Sequence, residues 1–118
     1  MNILLLDIET TPITAYTWGL WQQNINLNQI IESSQMLCYA AKWHGKKTMY
    51  FDSIFNSSKN EMLKGLHKLL DSADVIVHYN GSSFDIPVIN KEFIQSNLLP
   101  PSPYKQVDLL KTVRSQFR

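Results

Sequence analysis

The sequence predicts an α/β fold built on a mixed sheet, with three antiparallel strands first, then helix and strand in alternation, and helices flanking the sheet. Three observations carry that expectation. Ile3-Leu4-Leu5-Leu6 is a short apolar run that stops at an acid, Asp7. Asp74-Val75-Ile76-Val77-His78-Tyr79 is a second apolar run bounded by polar residues. Between them lie a hairpin pattern and an amphipathic helix pattern.

The elements follow in order. The first strand is read over Asn2 to Asp7 and, being apolar throughout, belongs at the sheet centre. Residues 13–34 carry aromatics and then amides (Gln22, Gln23, Asn24, Asn26, Asn28, Gln29), which predicts a long ordered loop with a short helix near Leu27 to Glu32. Gln35 to Trp43 and Lys47 to Asp52 form a hairpin turning at His44-Gly45-Lys46, where glycine supplies the positive φ. Ser58-Lys59-Asn60-Glu61 is a capping box that opens a helix with Met62, Leu66, Leu69 and Leu70 on one face. The strand over 74–79 runs through Asn80-Gly81-Ser82-Ser83 into a helix from about Phe84 to Ser96. Pro87 fits its first turn, where N–H groups have no helical partner to lose. After the Pro-rich stretch Leu98 to Pro103, Tyr104 to Leu109 reads as a fifth strand, and a last helix begins.

A chain of 118 residues with 44% apolar residues suits one domain with its own core. A formal charge of +1 excludes a strongly basic nucleic-acid wrapper but not an enzyme that meets phosphate through metals. The C-terminal excess of Lys105, Lys111, Arg114 and Arg118 over Asp108 reads as a solvated face. Cys38 is the one cysteine, so no internal disulfide forms and a reducing compartment is expected; it reads as a small core residue. The N-terminal apolar run is too short for a signal peptide, and nothing approaches a membrane span, so a soluble cytoplasmic protein is expected.

Asp7 and Glu9 are i and i+2 on a strand, so they share a face. Paired acids repel unless a cation lies between them, and Mg²⁺ takes one or two carboxylates with water and phosphate oxygens. Two solvated acids at a polar strand end is the alternative. Asp85, in the first turn of the later helix, adds a third acid at the C-terminal end of a second strand, the edge where sites assemble in open α/β sheets.

Asp7-x-Glu9-Thr10-Thr11-Pro12 and Asn80-x-x-x-Phe84-Asp85-x-Pro87 resemble the first two motifs of the DEDD 3′–5′ exonucleases, which have an RNase H-like fold. Val107-Asp108-Leu109-Leu110-Lys111 resembles the strand and helix start that follow. Tyr16-Thr17-Trp18-Gly19-Leu20-Trp21 and Lys105-Gln106-Val107-Asp108 resemble exonucleases of the bacteriophage type, for which the compartment would be the host cytoplasm. The resemblance covers essentially the whole chain as one domain, residues 1–118. It stops before the family's third motif, a Tyr or His followed by the fourth Asp, so the expected domain is C-terminally incomplete and lacks the last helix.

The resemblance implies a two-metal nuclease using Mg²⁺ or Mn²⁺, with the ions about 3.5–4 Å apart. Asp7 would bridge both ions, Glu9 would hold one and Asp85 the other. Thr10 and Thr11 would touch the terminal nucleotide, and Asn80 would fix the turn or the substrate backbone. Phe84 is expected to anchor in the core beside the site in preference to stacking on a base. Tyr104 and Asp108 match the letters of the third motif. They are set aside because only a short loop separates Tyr104 from the preceding helix, leaving no chain for a strand to cross the sheet; Asp108 is read as a strand end or a cap. Tyr16, Trp18 and Trp21 either stack on bases or, preferably, staple their loop to the sheet. His78 is read as a satisfied core histidine, and no Cys/His spacing suggests zinc.

The implied partners are single-stranded DNA 3′ ends, and either a complementary C-terminal nuclease fragment or a second copy, with Val107, Leu110, Val113 and Phe117 near that contact. The second functional reading is a catalytically inactive remnant of the fold that binds nucleic acid or a partner.

Overall fold

The computed structural model describes residues 1–20, 24–32 and 34–116. The readings placed on Trp21, Gln22, Gln23, Phe117 and Arg118 lie outside the described residues. The elements are β1 (Ile3–Thr10), β2 (Thr14–Ala15), β3 (Ile30–Glu32), β4 (Met36–Trp43), β5 (Met49–Ser53), α1 (Lys59–Asp71), β6 (Val75–His78), α2 (Asp85–Gln95), β7 (Lys105–Asp108) and α3 (Leu109–Gln116). Five strands form one sheet in the order β5-β4-β1-β6-β7, and β2 pairs with β3 separately. β4 runs antiparallel to β1 and β5, whereas β6 runs parallel to β1 and β7. This is the α/β mixed sheet that the sequence predicts, with β1 at its centre.

Register divides the residues of β1 between two faces. Leu4, Leu6 and Ile8 pair with Trp43, Ala41 and Tyr39, and Leu4 also pairs with Ile76. This face is covered by Met62, Leu63, Leu66 and Leu70 of α1 and by Ile86, Ile89 and Phe93 of α2, all buried. The helices start where the sequence gives them a start. Ser58 accepts from the Glu61 N–H at 3.1 Å, the N-cap half of the expected box. Pro87 lies in the first turn of α2. The hairpin turn places Gly45 at φ 81°, which favours glycine.

Several expectations change. β1 extends to Thr10, not Asp7, because β4 goes on pairing as far as Met36 across a bulge between Glu9 and Thr10. The segment after it is more regular than a loop. A single 3₁₀ turn over Leu27–Gln29 gives way to β3, since the Gln29 side chain bonds Asn26 N–H and Tyr16 C=O, each at 2.9 Å, and its backbone C=O receives Tyr16 N–H at 2.8 Å. Tyr16 and Trp18 do not staple this segment, being 65% and 88% exposed. Cys38 pairs with Glu9 and is half-buried on the face opposite the helices, not in the core.

An ion pair joins the two helices to the start of β4. Glu92 of α2 is 1% exposed, and Lys59 Nζ of α1 lies 2.9 Å from its Oε2, an approach without hydrogen-bond alignment. The same ammonium donates to Gln35 Oε1 at 2.9 Å. Removing one partner of a buried pair strands the other charge. Lys59→Met is therefore expected to cost about 3–5 kcal/mol in urea unfolding, and more than Glu92→Gln, which leaves no buried charge behind.

Candidate active site

β1 runs past the end of β6. Its parallel register ends with Leu5 opposite Val77, whereas pairing with β4 continues to Thr10. The edge of β1 beyond Leu5 thus lacks a strand neighbour on that side, and its backbone groups need other partners. Asp85, the first residue of α2, lies beside that edge, where the Ile8 N–H favours its ionised carboxylate.

Asp7 and Glu9 lie on the face of β1 turned away from the helices, and both are exposed. Burial pushes the Asp85 carboxyl up, the Ile8 hydrogen bond opposes this, and the charges of Asp7 and Glu9 add to the rise, with His78 acting against them. The three acids therefore feel one another. Their side chains are divided between two neighbouring cavities. Glu9 and Asp85 line a cavity of about 660 Å³ together with Thr10, Thr11, Asn80 and Phe84. Asp7 lines an adjoining, almost wholly apolar groove of about 400 Å³ on the open sheet face. Tyr79, 62% exposed, borders both, and its place at the end of a strand was the one sequence signal for it.

The loop that presents Asp85 is locked from below. His78 is 2% exposed; its Nδ1 accepts from Gly81 N–H and its Nε2 lies 2.9 Å from Gln106 Oε1, the Gly81 bond also being 2.9 Å, so the ring is pinned from both sides. A Cβ on Gly81 would fall against that ring, 2.7 Å from Nδ1. Asp108 is buried and accepts from Asn80 N–H at 2.8 Å, Ser82 Oγ at 2.7 Å and Leu110 N–H at 3.0 Å. Burial pushes its carboxyl up, but these hydrogen bonds and nearby His78 outweigh that and hold it below the usual range. Asp108 thus caps α3 and brackets the loop. Asn80 takes the left-handed conformation, φ 57°, that asparagine tolerates. Tyr104 is half-buried against the core, where burial pushes its hydroxyl up.

The Thr11 wall is tied down as well. Thr11 N–H donates to Gln35 C=O at 2.8 Å, and Gln35 N–H returns a bond to Thr11 Oγ1 at 3.0 Å. Phe84 is 63% exposed, so it is not the core anchor expected; the first turn of α2 buries Ile86 in its place and turns Phe84 to the cavity.

Among the described residues, no group of three or more His, Cys, Asp or Glu side chains is already gathered to hold a metal ion. The donor chemistry nevertheless fits a hard divalent cation, because Asp7, Glu9 and Asp85 offer oxygen alone and their mutual repulsion is unrelieved.

Because its raised pKa means that ionised Asp85 is disfavoured in the folded chain, this acid opposes folding at neutral pH. The cost fades as pH falls through its raised value towards the unfolded aspartate value of about 3.9. Asp85→Asn keeps an oxygen for Ile8 N–H without the charge. Without metal, the variant is expected to unfold at higher urea than the parent at pH 7, with the gap closing by about pH 4. A gap that is constant with pH would contradict this assignment.

A family model described as the RNase H superfamily matches residues 4–117. In structure, the chain is similar to a family B DNA polymerase from the hyperthermophilic archaeon Pyrobaculum calidifontis, with a TM-score of 0.67 and 15% identity. That match covers 98% of this chain and 16% of the polymerase, so the chain spans about one sixth of the polymerase's length. At this identity the likeness is one of fold. No curated protein matches the chain. Sheet order, strand directions and the near-complete family match agree, and the chain belongs to the RNase H superfamily.

Proposed function

We propose that the chain is a metal-dependent nuclease domain of the DEDD type, acting on phosphodiester bonds at the 3′ ends of single-stranded DNA. The carrying observation is the placement of Asp7, Glu9 and Asp85, brought from two elements to the unpaired edge of the central strand. Mg²⁺ or Mn²⁺ would be held by these three acids and would supply water activation and charge stabilisation for phosphodiester hydrolysis there. An Mg²⁺ site does not require a full set of gathered protein ligands, since substrate phosphate and water commonly complete it.

The other residues have roles that follow from their positions. Phe84, exposed at the mouth of the Glu9/Asp85 cavity, stacks on the terminal base, where one such contact is worth about 1–3 kcal/mol. Thr10 and Thr11 form the opposite wall and position the terminal nucleotide. Asn80 holds the turn that carries Asp85. Asp108 is engaged by three donors and keeps the loop in place without touching the substrate.

The open sheet face beside Asp7 carries Leu5, Met49, Phe51 and Val107, 38–61% exposed, with Leu109 and Val113 of α3 each at 44%. Apolar surface of this kind is a docking face. We place there either a complementary nuclease segment, which would bring the fourth acid and a water-orienting Tyr or His, or a second copy of the chain, with Leu110 near the contact.

Calorimetry is expected to show Mn²⁺ binding at about 1 mM or weaker, lost in Asp7→Ala and Asp85→Ala. Identical Mn²⁺ heats for Asp7→Ala and the parent would sink the metal assignment. With 3′-labelled single-stranded DNA and Mn²⁺, the chain alone is expected to release label slowly or not at all, and a complementary segment to raise the rate by about 10²–10⁴-fold through the supplied acid–base residue. Robust release by the purified monomer that Asp108→Ala abolishes would instead place Tyr104 and Asp108 in the chemistry.

A further inference from the structure

Another cavity lies away from the acids, near the opposite end of β1. It is a groove of about 780 Å³ between the β4–β5 hairpin and α1, reaching Asn2 and Ile3. Glu9 is six residues further along the strand, about 20 Å away at the usual rise.

The groove combines aromatic and cationic groups. Trp43, Tyr50 and Tyr39 line it, with Lys46 from the hairpin turn and Lys68 from α1, and no acid is in the lining. Ala41 pairs with Tyr50, and Trp43 lies two residues beyond Ala41 on the same face. Trp43 and Tyr50 are thus diagonal neighbours across the hairpin, about 7–8 Å apart and within aromatic reach. Trp43 packs its other side on the core, and Tyr50 is 39% exposed.

Tyr39 is 5% exposed and forms part of the groove wall. The hydroxyl lies where a Cβ on Gly65 would come within 3.0 Å of it, on the groove wall that both residues form. Burial, with the charge of Asp52 second, pushes the hydroxyl's pKa up, so it is a neutral donor. The neighbouring acids are engaged elsewhere: Asp52 with Ser57, Ser53 and Asn56, Asp71 with Ser102, and Asp74 with Asn2 N–H.

We propose that this groove is a second, non-catalytic site for a nucleotide, with the base on Trp43 and Tyr50 and the phosphate between Lys46 and Lys68. Aromatic faces accept any base, and flanking ammonium groups neutralise the phosphate. Tyr39 Oη supplies a hydrogen bond to the sugar or base. An acidic peptide would satisfy the lysines but leave the aromatic surface unused. The proposal does not depend on the nuclease reading, since none of its residues belongs to the Asp7/Glu9/Asp85 site.

The test is a titration of the ¹⁵N-labelled chain in EDTA with 2′-deoxyadenosine 5′-monophosphate, followed at the Trp43 indole and the Gly65 amide. Adenosine, inorganic phosphate, an eight-residue oligothymidylate and hexaglutamate serve as separate arms. The nucleotide is expected to shift both signals and to bind about tenfold more tightly than adenosine or phosphate alone. Lys46→Glu with Lys68→Glu, both at exposed positions, and separately Tyr50→Ser, should each weaken it about tenfold while Asp85→Asn has no effect. Tighter binding of the oligonucleotide than of the mononucleotide would identify the occupant as a strand, and the reverse as a free nucleotide. Groove signals that stay unmoved by nucleotide, that move equally in the lysine variant, or that respond to hexaglutamate alone would overturn the proposal.

Discussion

The length mismatch between β1 and its parallel neighbour governs the site. β6 stops pairing opposite Leu5, while β4 supports β1 as far as Thr10. Backbone donors on an unpaired strand edge need acceptors, and the start of α2, with Asp85, lies beside Ile8 on that edge. The third acid is thus set beside the stretch of strand that carries Asp7 and Glu9. Had β6 run on beside β1, the helix would begin farther along and the third acid would lie away from the other two.

The same geometry needs a rigid loop between β6 and α2. His78 and Asp108, both buried, hold Asn80, Gly81 and Ser82 from beneath, and Gln106 holds His78 in turn. Two neighbouring parallel strands thus fix a loop that neither could fix alone. Each buried polar group here has a partner, and this is what permits a histidine and an aspartate below an acidic site without an isolated charge.

The sheet has unequal faces. One is sealed by α1 and α2 over Leu4, Leu6 and Ile8, with the Lys59–Glu92 pair at the helix contact. The other presents apolar side chains around Asp7 with α3 at its margin. Acids beside apolar surface have less water to screen them, so an approaching cation or phosphate meets a stronger field there than on an ordinary polar surface.

The sequence by itself determined the fold class, the central place of β1, the hairpin with its Gly45 turn, and the shared face of Asp7 and Glu9, because all of these follow from local periodicity and turn chemistry. It also placed Asp85 at the head of a helix and His78 as a satisfied core residue. Tertiary structure alone decided where each strand stops pairing, and hence that Asp7 lines one cavity while Glu9 and Asp85 line another. It exposed Phe84, left Trp18 bare, turned Asp108 into a loop bracket and buried Glu92 against Lys59. These depend on partners 24–72 residues distant in sequence, as in Gln35 with Lys59 and Asn2 with Asp74. Periodicity shows which face a residue takes; it does not show which neighbour meets it there.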